Sequence, residues 1–533
     1  MVKPFLALFF VLSFLGMAFN VGAEEQSFEE LVAELPDTNF KTLPALLDKF
    51  AEQDDPRTAI LLTNLLGGDV YYHPRSQQVI TMTKVQGERQ FIDVLTSEVI
   101  AEPSGVRLRK VRVNNSVRSH IRQLQAQQNI SDSNPDVRLK AVKNLLSDVD
   151  QISPQLLANR LQKEQDSDIH ALLSAIAALH ELDSGDESKQ LDAINTLRGN
   201  LQPDVRIALM QLQQRDALPE TVRDALNSTL AGIETQRKWY GWAENIFFGV
   251  SMGSVLLLAA IGLAITFGVM GVINMAHGEM IMLGAYTTYV IQQAFPGLIE
   301  YSLLMAVPAA FLVSGFVGIV IERSVIQFLK GRPLETLLAT FGISLILQQL
   351  VRTVFSPLNR QVAAPEWMSG SLQINPVFSV TYNRLYIILF SLTVFFALMI
   401  FLKKSSLGLH VRAVAQNRDM ARALSVKSNW VDAATFGLGS GIAGVAGVVL
   451  SQLTNVGPNL GQSYIIDSFL VVVFGGVASL WGTLVSAMTL GIVNKFLEPV
   501  TGPVLATIIV LVGLVFFIQK RPMGLFPQKG RAE

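Results

Sequence analysis

The polar residues best placed for chemistry stand inside the most apolar half of this chain. Asn274, His277 and Glu279 occur within GVMGVINMAHGEMIMLGAY, residues 268–286, between two long apolar runs. An ionisable side chain at membrane depth is costly to bury and is by default a functional candidate. These three groups could hydrogen-bond a polar solute that crosses a membrane. A structural alternative is equally open: His277 and Glu279 pair with each other or cap a helix end.

Three glycines surround this group and predict a loosened backbone. Gly271, Gly278 and Gly284 fall in the same segment. Backbone groups freed at membrane depth are tolerated only inside protein or along a cavity. We therefore expect residues 268–286 to lie against a translocation path.

A second polar group lies in LTNVGPNLGQSYIIDSFLVVVFGGVASLWGT, residues 453–483. Its amide and hydroxyl groups suit a neutral, hydrogen-bonding solute. Asp467 is a further candidate for the path, because a carboxylate there must be paired or hydrated. For the outer part, a purely structural turn around Gly457 and Pro458 remains open.

The longest charged connector, SLGLHVRAVAQNRDMARALSV, covers residues 406–426. Val411, Val414 and Ala415 share one helical face, and Asn417 can cap a second short helix that runs to Leu424. Such a helix suits docking into a groove on a partner protein; the alternative is a helix that lies on anionic lipid. The candidate contacts to a partner are Arg412, Gln416, Asn417, Arg418, Asp419 and Arg422.

Composition indicates which elements carry these residues. Half of the 533 residues are apolar and only 16% are charged, against about a quarter in soluble proteins. The charges concentrate in residues 24–240, whereas apolar runs dominate from Asn245 onward. A membrane span needs about 20 mostly apolar residues. The candidate spans are 246–267, 278–294, 301–322, 334–355, 383–402, 431–453, 465–480, 482–497 and 503–519.

The predicted fold is an all-α polytopic membrane protein with about eight or nine transmembrane helices, some broken or re-entrant, especially near residues 478–482. Small residues spaced four apart, such as Gly249 with Gly253 and Ala443 with Gly447, favour close helix packing. Basic residues collect in the loops around Arg323 and Arg412 and in the tail around Arg521, which places these segments and the C-terminus in the cytoplasm.

The N-terminal part is predicted to be exported. Lys3, an apolar run and Val21-Gly22-Ala23 have the form of a signal peptide over residues 1–23, with an uncleaved anchor as the alternative. The region 24–132 is expected to be mixed, with a few strands within 58–113. The chain contains no cysteine, so this domain has no disulfides.

Residues 133–240 are predicted to form HEAT-like helical repeats. Asp136, Asp168 and Asp204 recur with a spacing typical of helical-hairpin solenoids. Each stands where an N-cap or first-turn carboxylate would favour the positive end of a helix dipole. A plain helical spacer is the alternative.

Several functions find no support in the sequence. No GxxxxGK[ST] motif occurs, so ATP, if used, is bound by a partner, and no cofactor or metal site is predicted. GSGIAG at 439–444 matches a dinucleotide-binding pattern but lies inside a predicted span without a preceding strand. No basic stripe with aromatics suggests nucleic acid. Glu279 near His277 lacks a nucleophile or a ligand set, which makes an enzyme the least favoured interpretation.

The motifs themselves resemble a known family. INMAHGEMIMLGAY, residues 273–286, and RAVAQNRDMARAL, residues 412–424, look like the first-repeat segment and the ATPase-coupling loop of branched-chain amino-acid type ABC permeases. VGPNLGQSYIIDSF, VVVFGG, LWGT, NKFLEP and FIQKRPMGLF are similar to the B-type permease subunits of urea importers in that family. The resemblance covers about residues 244–533, and that subfamily tends to carry an exported N-terminal extension. Ser425, and the pair Ala478-Ser479, stand where the family usually has glycine.

The resemblance implies a permease subunit that works with a second permease, two ATP-binding subunits and a periplasmic solute-binding protein in the bacterial inner membrane. Urea is the implied cargo, with a branched-chain amino acid or a short amide as the alternative. A passive urea channel and a membrane-tethered scaffold that acts through its solenoid are alternatives of other classes.

Overall fold

A computed structural model describes residues 26–526 except 54, 86–87, 101–107, 148, 150–151, 153 and 216–217. The predicted signal segment 1–23 and the last basic residues, Lys529 and Arg531, lie outside the described residues. The chain divides into two compact units, Met1–Ile233 and Glu234–Glu533.

The first unit begins with three helices and a small sheet. The helices are α1 (Phe28–Glu34), α2 (Leu43–Glu52) and α3 (Pro56–Gly67). The strands are β1 (Val70–Tyr72), β2 (Val79–Val85), β3 (Glu88–Asp93), β4 (Val99–Ile100) and β5 (Arg109–Lys110). They form one antiparallel sheet in the order β4-β3-β2-β1-β5.

The strands predicted within 58–113 are therefore confirmed, but only from residue 70 onward. The start of that range belongs to α3, because Asp55 caps the helix by accepting from the Arg57 amide and Pro56 occupies its first turn. Gly68, with a left-handed φ of 73°, ends α3 and turns the chain into β1.

The rest of this unit is helical. Its helices are α4 (Asn115–Asn129), α5 (Pro135–Leu146), α6 (Pro154–Lys163), α7 (Ser167–Leu182), α8 (Glu187–Thr196), α9 (Pro203–Gln213) and the start of α10 (Glu220–Met270). Asp136, Asp168 and Asp204 lie in the first turns of α5, α7 and α9, as predicted. The caps of α5 and α7 are instead Asn134 and Asp166. Helix α7 packs against α5, α6, α8 and α9, and the HEAT-like assignment of this array stays a prediction.

Glu164, in the connection between α6 and α7, holds three of these helices together. It is buried and receives hydrogen bonds from Arg138 of α5 at 2.9 Å and from Arg160 of α6 at 2.7 Å. Burial acts to raise the pKa of Glu164, but the hydrogen bonds from Arg138, from the Asp166 amide and from Arg160 outweigh it and lower that pKa to about 2.

The second unit contains the apolar helices. After α10 come α11 (His277–Ala294), α12 (Ser302–Ser324), α13 (Pro333–Phe355), α14 (Tyr382–Lys404), α15 (Ser406–Gln416), α16 (Arg418–Ala423), α17 (Ser428–Ser451), α18 (Leu460–Gly475), α19 (Leu480–Thr501) and α20 (Pro503–Lys520). A two-stranded ribbon, β6 (Ser371–Gln373) with β7 (Ser379–Thr381), precedes α14.

Seven helices of the described chain are long and apolar enough to cross a membrane: α10, α12, α13, α14, α17, α19 and α20. The two other predicted spans correspond to α11 and to α18, a shorter apolar helix. Of the two segments that meet near residues 478–482, the second is a full-length helix and not a broken one, because α19 runs over 22 residues. Helix α18 lies earlier than the predicted 465–480, since Gly476, at φ 99°, ends it.

Helices α11, α12 and α17 form the tightly packed centre of this unit. Glycines allow the backbones to touch: a Cβ placed on Gly284 would lie 1.9 Å from the carbonyl oxygen of Gly444. Gly262 of α10 meets Gly439 of α17 in the same way, at 2.3 Å. The close packing predicted from small residues four apart is confirmed, and GSGIAG is part of the α17 contact surface.

Candidate functional site

The backbone breaks between α10 and α11, where the polar motif lies. Gly271 takes a left-handed φ of 68°, directly after α10 ends at Met270. The Asn274 side-chain oxygen accepts from the Ala276 amide at 3.0 Å, and the Met275 amide donates to Thr340 Oγ1 at 3.1 Å. The predicted break is confirmed, and side chains satisfy part of the freed backbone. Asn274, which is buried, stabilises this turn.

Gly278 and Gly284 do not loosen the helix, contrary to the prediction. Both lie within regular α11. A Cβ on Gly278 would come within 2.6 Å of the Gly461 carbonyl oxygen. These glycines are required because neighbouring backbones approach them closely.

His277 faces α10. Its ring is fully buried, and Nε2 donates to the Ala259 carbonyl oxygen at 2.9 Å. Nδ1 has no hydrogen-bond partner among the described residues. His277 therefore ties α11 to α10, and the alternative in which it pairs with Glu279 is not what the structure shows.

Glu279 faces the opposite way, toward α13. Its Oε1 accepts from Ser344 Oγ at 2.9 Å and from Gln348 Nε2 at 2.8 Å. Its Oε2 is buried without a hydrogen-bond partner in the described chain. Further along α11, the Tyr286 hydroxyl is also buried and unpartnered there. Two polar atoms of α11 thus remain available beside α13.

Helix α13 supplies a polar stripe that the sequence analysis missed. Thr336, Thr340, Ser344 and Gln348 recur every fourth residue and are all buried. The other faces of α13 are apolar and exposed, as at Leu338, which is 71% exposed. The spacing of polar residues in an otherwise apolar run was the available signal. Because the stripe meets Met275 and Glu279, it forms the second wall of the site.

Asp467 does not join this group. It lines a small cleft with Asn494 of α19 and with residues of α10 and α20. The structure shows no hydrogen bond or ion pair for Asp467 within its described part, and the buried Asn494 Oδ1 is also unpartnered there. The four residues predicted for the path thus have different places: Asn274 stabilises a turn, His277 ties α11 to α10, Glu279 of α11 is hydrogen-bonded to α13, and Asp467 lies apart from them.

The connector 406–426 forms two short helices, as predicted. Ser405 caps α15 by accepting from the Gly408 amide at 3.0 Å, and Asn417 caps α16 by accepting from the Met420 amide at 2.9 Å. Ser425 then takes a left-handed φ of 67°. Its amide bonds the Arg422 carbonyl while the Val426 amide bonds that of Ala421, both at 3.0 Å. This pair of bonds is a Schellman motif, in which glycine is the usual residue.

The apolar face of these helices turns inward rather than toward a partner. Val411, Val414 and Ala421 are buried against Val269 of α10 and Val431 of α17. The Val411 and Val414 face is therefore unavailable to a partner, and docking of these helices through another surface stays a prediction. The outward surface is formed by other residues, among them Leu409, Met420 and Leu424, which are 59%, 60% and 74% exposed.

An ion network fixes α16 to the membrane helices. Arg418 donates from Nη1 and Nη2 to the two Asp432 carboxylate oxygens at 2.6 and 3.0 Å. Lys330 Nζ bonds the same carboxylate at 2.6 Å and lies 3.2 Å from Glu322 Oε1. Both acids are fully buried. Arg418 was predicted as a partner contact, but this geometry gives it a positioning role that the sequence spacing did not reveal.

The other predicted coupling residues lie around this anchor. The Asp419 side chain is 95% exposed, and Arg422 Nε donates to Ser428 Oγ at 2.8 Å. Arg412 donates to the Leu402 carbonyl. With Gln416, it lines a cavity of about 590 Å³ whose other walls include Gly268, Met399, Ala478 and Trp481. The short helices therefore cover a cavity beside α10, α14 and the connection between α18 and α19.

Among the described residues, no group of three or more His, Asp or Glu side chains is placed to hold a metal ion.

A bundle of helices that are long and apolar enough to cross a membrane, with polar side chains buried among them, indicates an integral membrane protein. Comparison with known proteins gives the family. The chain belongs to the family described as branched-chain amino acid transport system, permease component, which matches residues 245–519. It is a permease component and not an enzyme.

Individual relatives agree with this assignment. The chain is 30% identical over 305 residues to the high-affinity branched-chain amino acid transport system permease protein BraD of Pseudomonas aeruginosa, covering 55% of this chain and 97% of the relative. It is 29% identical over 308 residues to the corresponding protein LivH of Salmonella typhimurium, covering 54% and 96%. A probable LivH of Methanocaldococcus jannaschii is 27% identical over 249 residues, 45% and 76% of the two chains. No solved structure matches.

Proposed function

We propose that this chain is one of two permease subunits in an ATP-driven importer of the bacterial inner membrane, and that the cargo is urea. Two partner subunits bind and hydrolyse ATP, and a periplasmic solute-binding protein delivers the solute. The N-terminal unit is periplasmic and the C-terminus cytoplasmic. The chain itself needs no cofactor and binds no nucleic acid.

One observation carries the transport mechanism: the two short helices α15 and α16 are exposed on one side and anchored to the bundle on the other. Arg418 and Asp432 transmit force between α16 and α17, while Val411 contacts the end of α10 through Val269. A partner that pushes on the exposed surface would therefore move the ends of two long helices. A movement of these helix ends would change the shape of the cavity of about 590 Å³ that lies beside the short helices.

The urea assignment is supported by three features of the chain. Segments 456–469 and 517–526 resemble the urea-importer permeases. The family match begins only at residue 245, which leaves a long N-terminal region outside it, and such an extension is typical of that subfamily. Neutral groups on α13, Ser344 and Gln348, suit a neutral solute, and the free Glu279 Oε2 could accept from both amides of urea.

A branched-chain amino acid is the second candidate, because the relatives above are named for that cargo. The site also offers both charges that a zwitterion needs. Glu279 is a buried carboxylate, and Arg352 follows Gln348 by one helical turn on α13, where it donates to Asn459 at 2.7 Å.

Uptake measurements separate the two cargoes. We would delete the gene, restore it on a plasmid, and follow labelled urea and labelled leucine at micromolar concentration. The proposal expects restoration of urea uptake alone; restoration of leucine uptake alone would select the second candidate. Vesicles that contain only this chain test the passive channel, since urea flux without ATP-binding subunits contradicts an ATP-driven importer.

Orientation is tested separately, because the chain has no natural cysteine. A single cysteine at Asp419, an exposed position, should react with a membrane-impermeant maleimide only after the cells are opened. Labelling in intact cells would place the coupling helices outside and overturn the mechanism.

A further inference from the structure

An open cationic groove lies where three elements of the second unit end. It has a volume of about 560 Å³ and is lined by Arg323 at the end of α12, by Arg422 in the last turn of α16, by Ser425 and Val426 after that helix, and by Lys427, Ser428, Asn429 and Trp430 at the start of α17. Its lining contains three basic residues and no acidic one. Both α12 and α17 are membrane-crossing helices, so their ends place the groove at a membrane surface.

The positive charge of this groove is only partly balanced by carboxylates. The Lys427 side chain makes no hydrogen bond or ion pair to any residue in the described ranges. Arg323 Nε lies 3.8 Å from Glu322, and Arg422 Nη1 lies 3.9 Å from Asp419. Both separations exceed hydrogen-bonding distance, and Glu322 is nearer to Lys330, at 3.2 Å. The three basic side chains therefore outnumber the carboxylates beside them, and this excess of positive charge attracts an anion.

An exposed tryptophan marks the same place as an interface between lipid and water. Trp430 is 65% exposed, although 89% of the most apolar stretch of its helix is buried. The guanidinium of Arg323 lies 5.9 Å from the centre of its ring. Indole rings gather at the headgroup level of membranes, where an apolar body and a polar N–H are both satisfied.

An apolar strip leads from the bilayer into the groove. Phe316 and Val320 lie on the face of α12 that ends at Arg323, and they are 68% and 46% exposed. A strip of apolar side chains that ends in three cations matches an amphiphile with an anionic head. An acidic patch on a soluble partner would match the cations but not the strip.

We propose that this groove binds the phosphate of an anionic phospholipid, with an acyl chain along Phe316 and Val320. Basic pockets between membrane helices on the cytoplasmic side recognise anionic headgroups in this way. Arg422 lies in the last turn of α16 and Ser425 follows that helix, so the bound lipid stabilises the C-terminal end of the coupling helices. The site thus makes coupling dependent on lipid, which goes beyond the transport function itself.

The experiment measures lipid binding rather than uptake, so its failure is distinguishable from failure of the proposed function. Full-length protein is placed in nanodiscs of phosphatidylcholine with increasing brominated phosphatidylglycerol. Bromine quenches nearby indoles, and subtracting the signal of Trp430→Phe isolates Trp430 among the five tryptophans. Quenching should saturate at a low phosphatidylglycerol fraction in wild type.

The double variant Arg323→Gln/Lys427→Gln should shift that saturation to roughly 25-fold more phosphatidylglycerol, since each basic residue near an anionic surface contributes roughly fivefold. The control is Arg332→Gln, an exposed cation that pairs with Glu335 outside the groove; it should leave saturation unchanged. Equal saturation in wild type and double variant overturns the proposal. It is also overturned if the double variant keeps its lipid preference but no longer copurifies ATP-binding subunits, because the cations would then serve a protein contact.

Discussion

Arg418 and Asp432 make a two-pronged ion pair that joins the second coupling helix to the start of a membrane helix. The guanidinium approaches the two carboxylate oxygens at 2.6 and 3.0 Å, and the Asp432 side chain is fully buried. One position along the chain, the Asp419 side chain is 95% exposed and makes only a 3.9 Å contact with Arg422. Arg418 therefore holds α16 to α17 within the protein, whereas its neighbour Asp419 is exposed and available to a partner.

The first prediction contrasts these two neighbours. Arg418→Ala leaves Lys330 as the single cation that contacts Asp432. The free energy of unfolding should fall by about 2 kcal/mol. This is less than the loss expected for a fully buried ion pair, because Arg418 is partly exposed. Asp419→Ala should leave unfolding unchanged. Both should uncouple ATP hydrolysis from uptake in the purified complex, measured by phosphate release against solute accumulation. Unchanged coupling in Asp419→Ala, with the complex intact, would contradict its role as a contact.

The second prediction concerns the Glu279 carboxylate of α11, which accepts hydrogen bonds from α13. In Glu279→Gln the amide oxygen still accepts from Ser344 and Gln348, so the melting temperature should be within a few degrees of wild type. Transport should fall by roughly tenfold, because losing a hydrogen bond to a charged group costs about 1.5 kcal/mol. Glu335→Gln, an exposed acid of α13 outside the site, is the control. Wild-type uptake by Glu279→Gln would remove Glu279 from the path.

The third prediction compares two glycines. Gly284→Ala forces a methyl group to within 1.9 Å of the Gly444 carbonyl oxygen, whereas Gly342→Ala meets nothing within 4 Å. Gly284→Ala should lower the free energy of unfolding by about 3 kcal/mol, and Gly342→Ala should leave it nearly unchanged. Yield and thermal melting of the detergent-purified proteins give the comparison. A stable Gly284→Ala protein would mean that the helices do not approach so closely.

The fourth prediction follows from the left-handed backbone at Ser425. Non-glycine residues pay about 1 kcal/mol in that conformation, so Ser425→Gly should stabilise the coupling segment by about that amount. Hydrogen exchange of residues 418–426 should slow correspondingly. Ser406→Gly, in the helical part of α15, should instead speed local exchange. Faster exchange in Ser425→Gly would indicate that the Schellman geometry does not persist.

The fifth prediction is a pH dependence in the N-terminal unit. Because the folded-state pKa of Glu164 is lowered to about 2 from 4.5, its ionised form contributes stability that is present above pH 4.5 and is lost as the pH falls toward 2. That contribution is about 3 kcal/mol, at about 1.4 kcal/mol for each pKa unit. Glu164→Gln should therefore raise hydrogen exchange in residues 135–182 at pH 7, and the difference from wild type should shrink between pH 4.5 and 3. A constant difference over that interval contradicts the low pKa.

Helices with strong local signals could be predicted closely. Helix α11 runs over 277–294 against a predicted 278–294, and α20 over 503–520 against 503–519. Apolar length sets one limit of such helices, and for α20 the proline at its first position sets the other. Helix α18 ends instead at Gly476, at φ 99°, beside Gly475, whose absent side chain lets the backbone of Gly482 approach. No local pattern shows that contact.

The ion network around Asp432 likewise could not be fully predicted from the sequence. Glu322 and Asp432 are acids inside apolar helices, which marks them as paired. Their shared partner Lys330 stands 102 residues before Asp432, so spacing could not join them. The apolar face of α15 was likewise visible in the sequence, but a pattern of valines does not say which surface covers it. Tertiary packing determines both the cation that pairs with the buried acids and the surface that covers the valines of α15.

The polar stripe of α13 also restricts how that helix can move. Thr340, Ser344 and Gln348 lie on one narrow face, and the exposed Leu338 and Ile346 lie on others. Rotating the helix about its long axis by a single residue would carry its hydroxyl and amide groups into hydrocarbon and strip them of partners. Helix α13 can slide or tilt during a transport cycle, but it cannot roll.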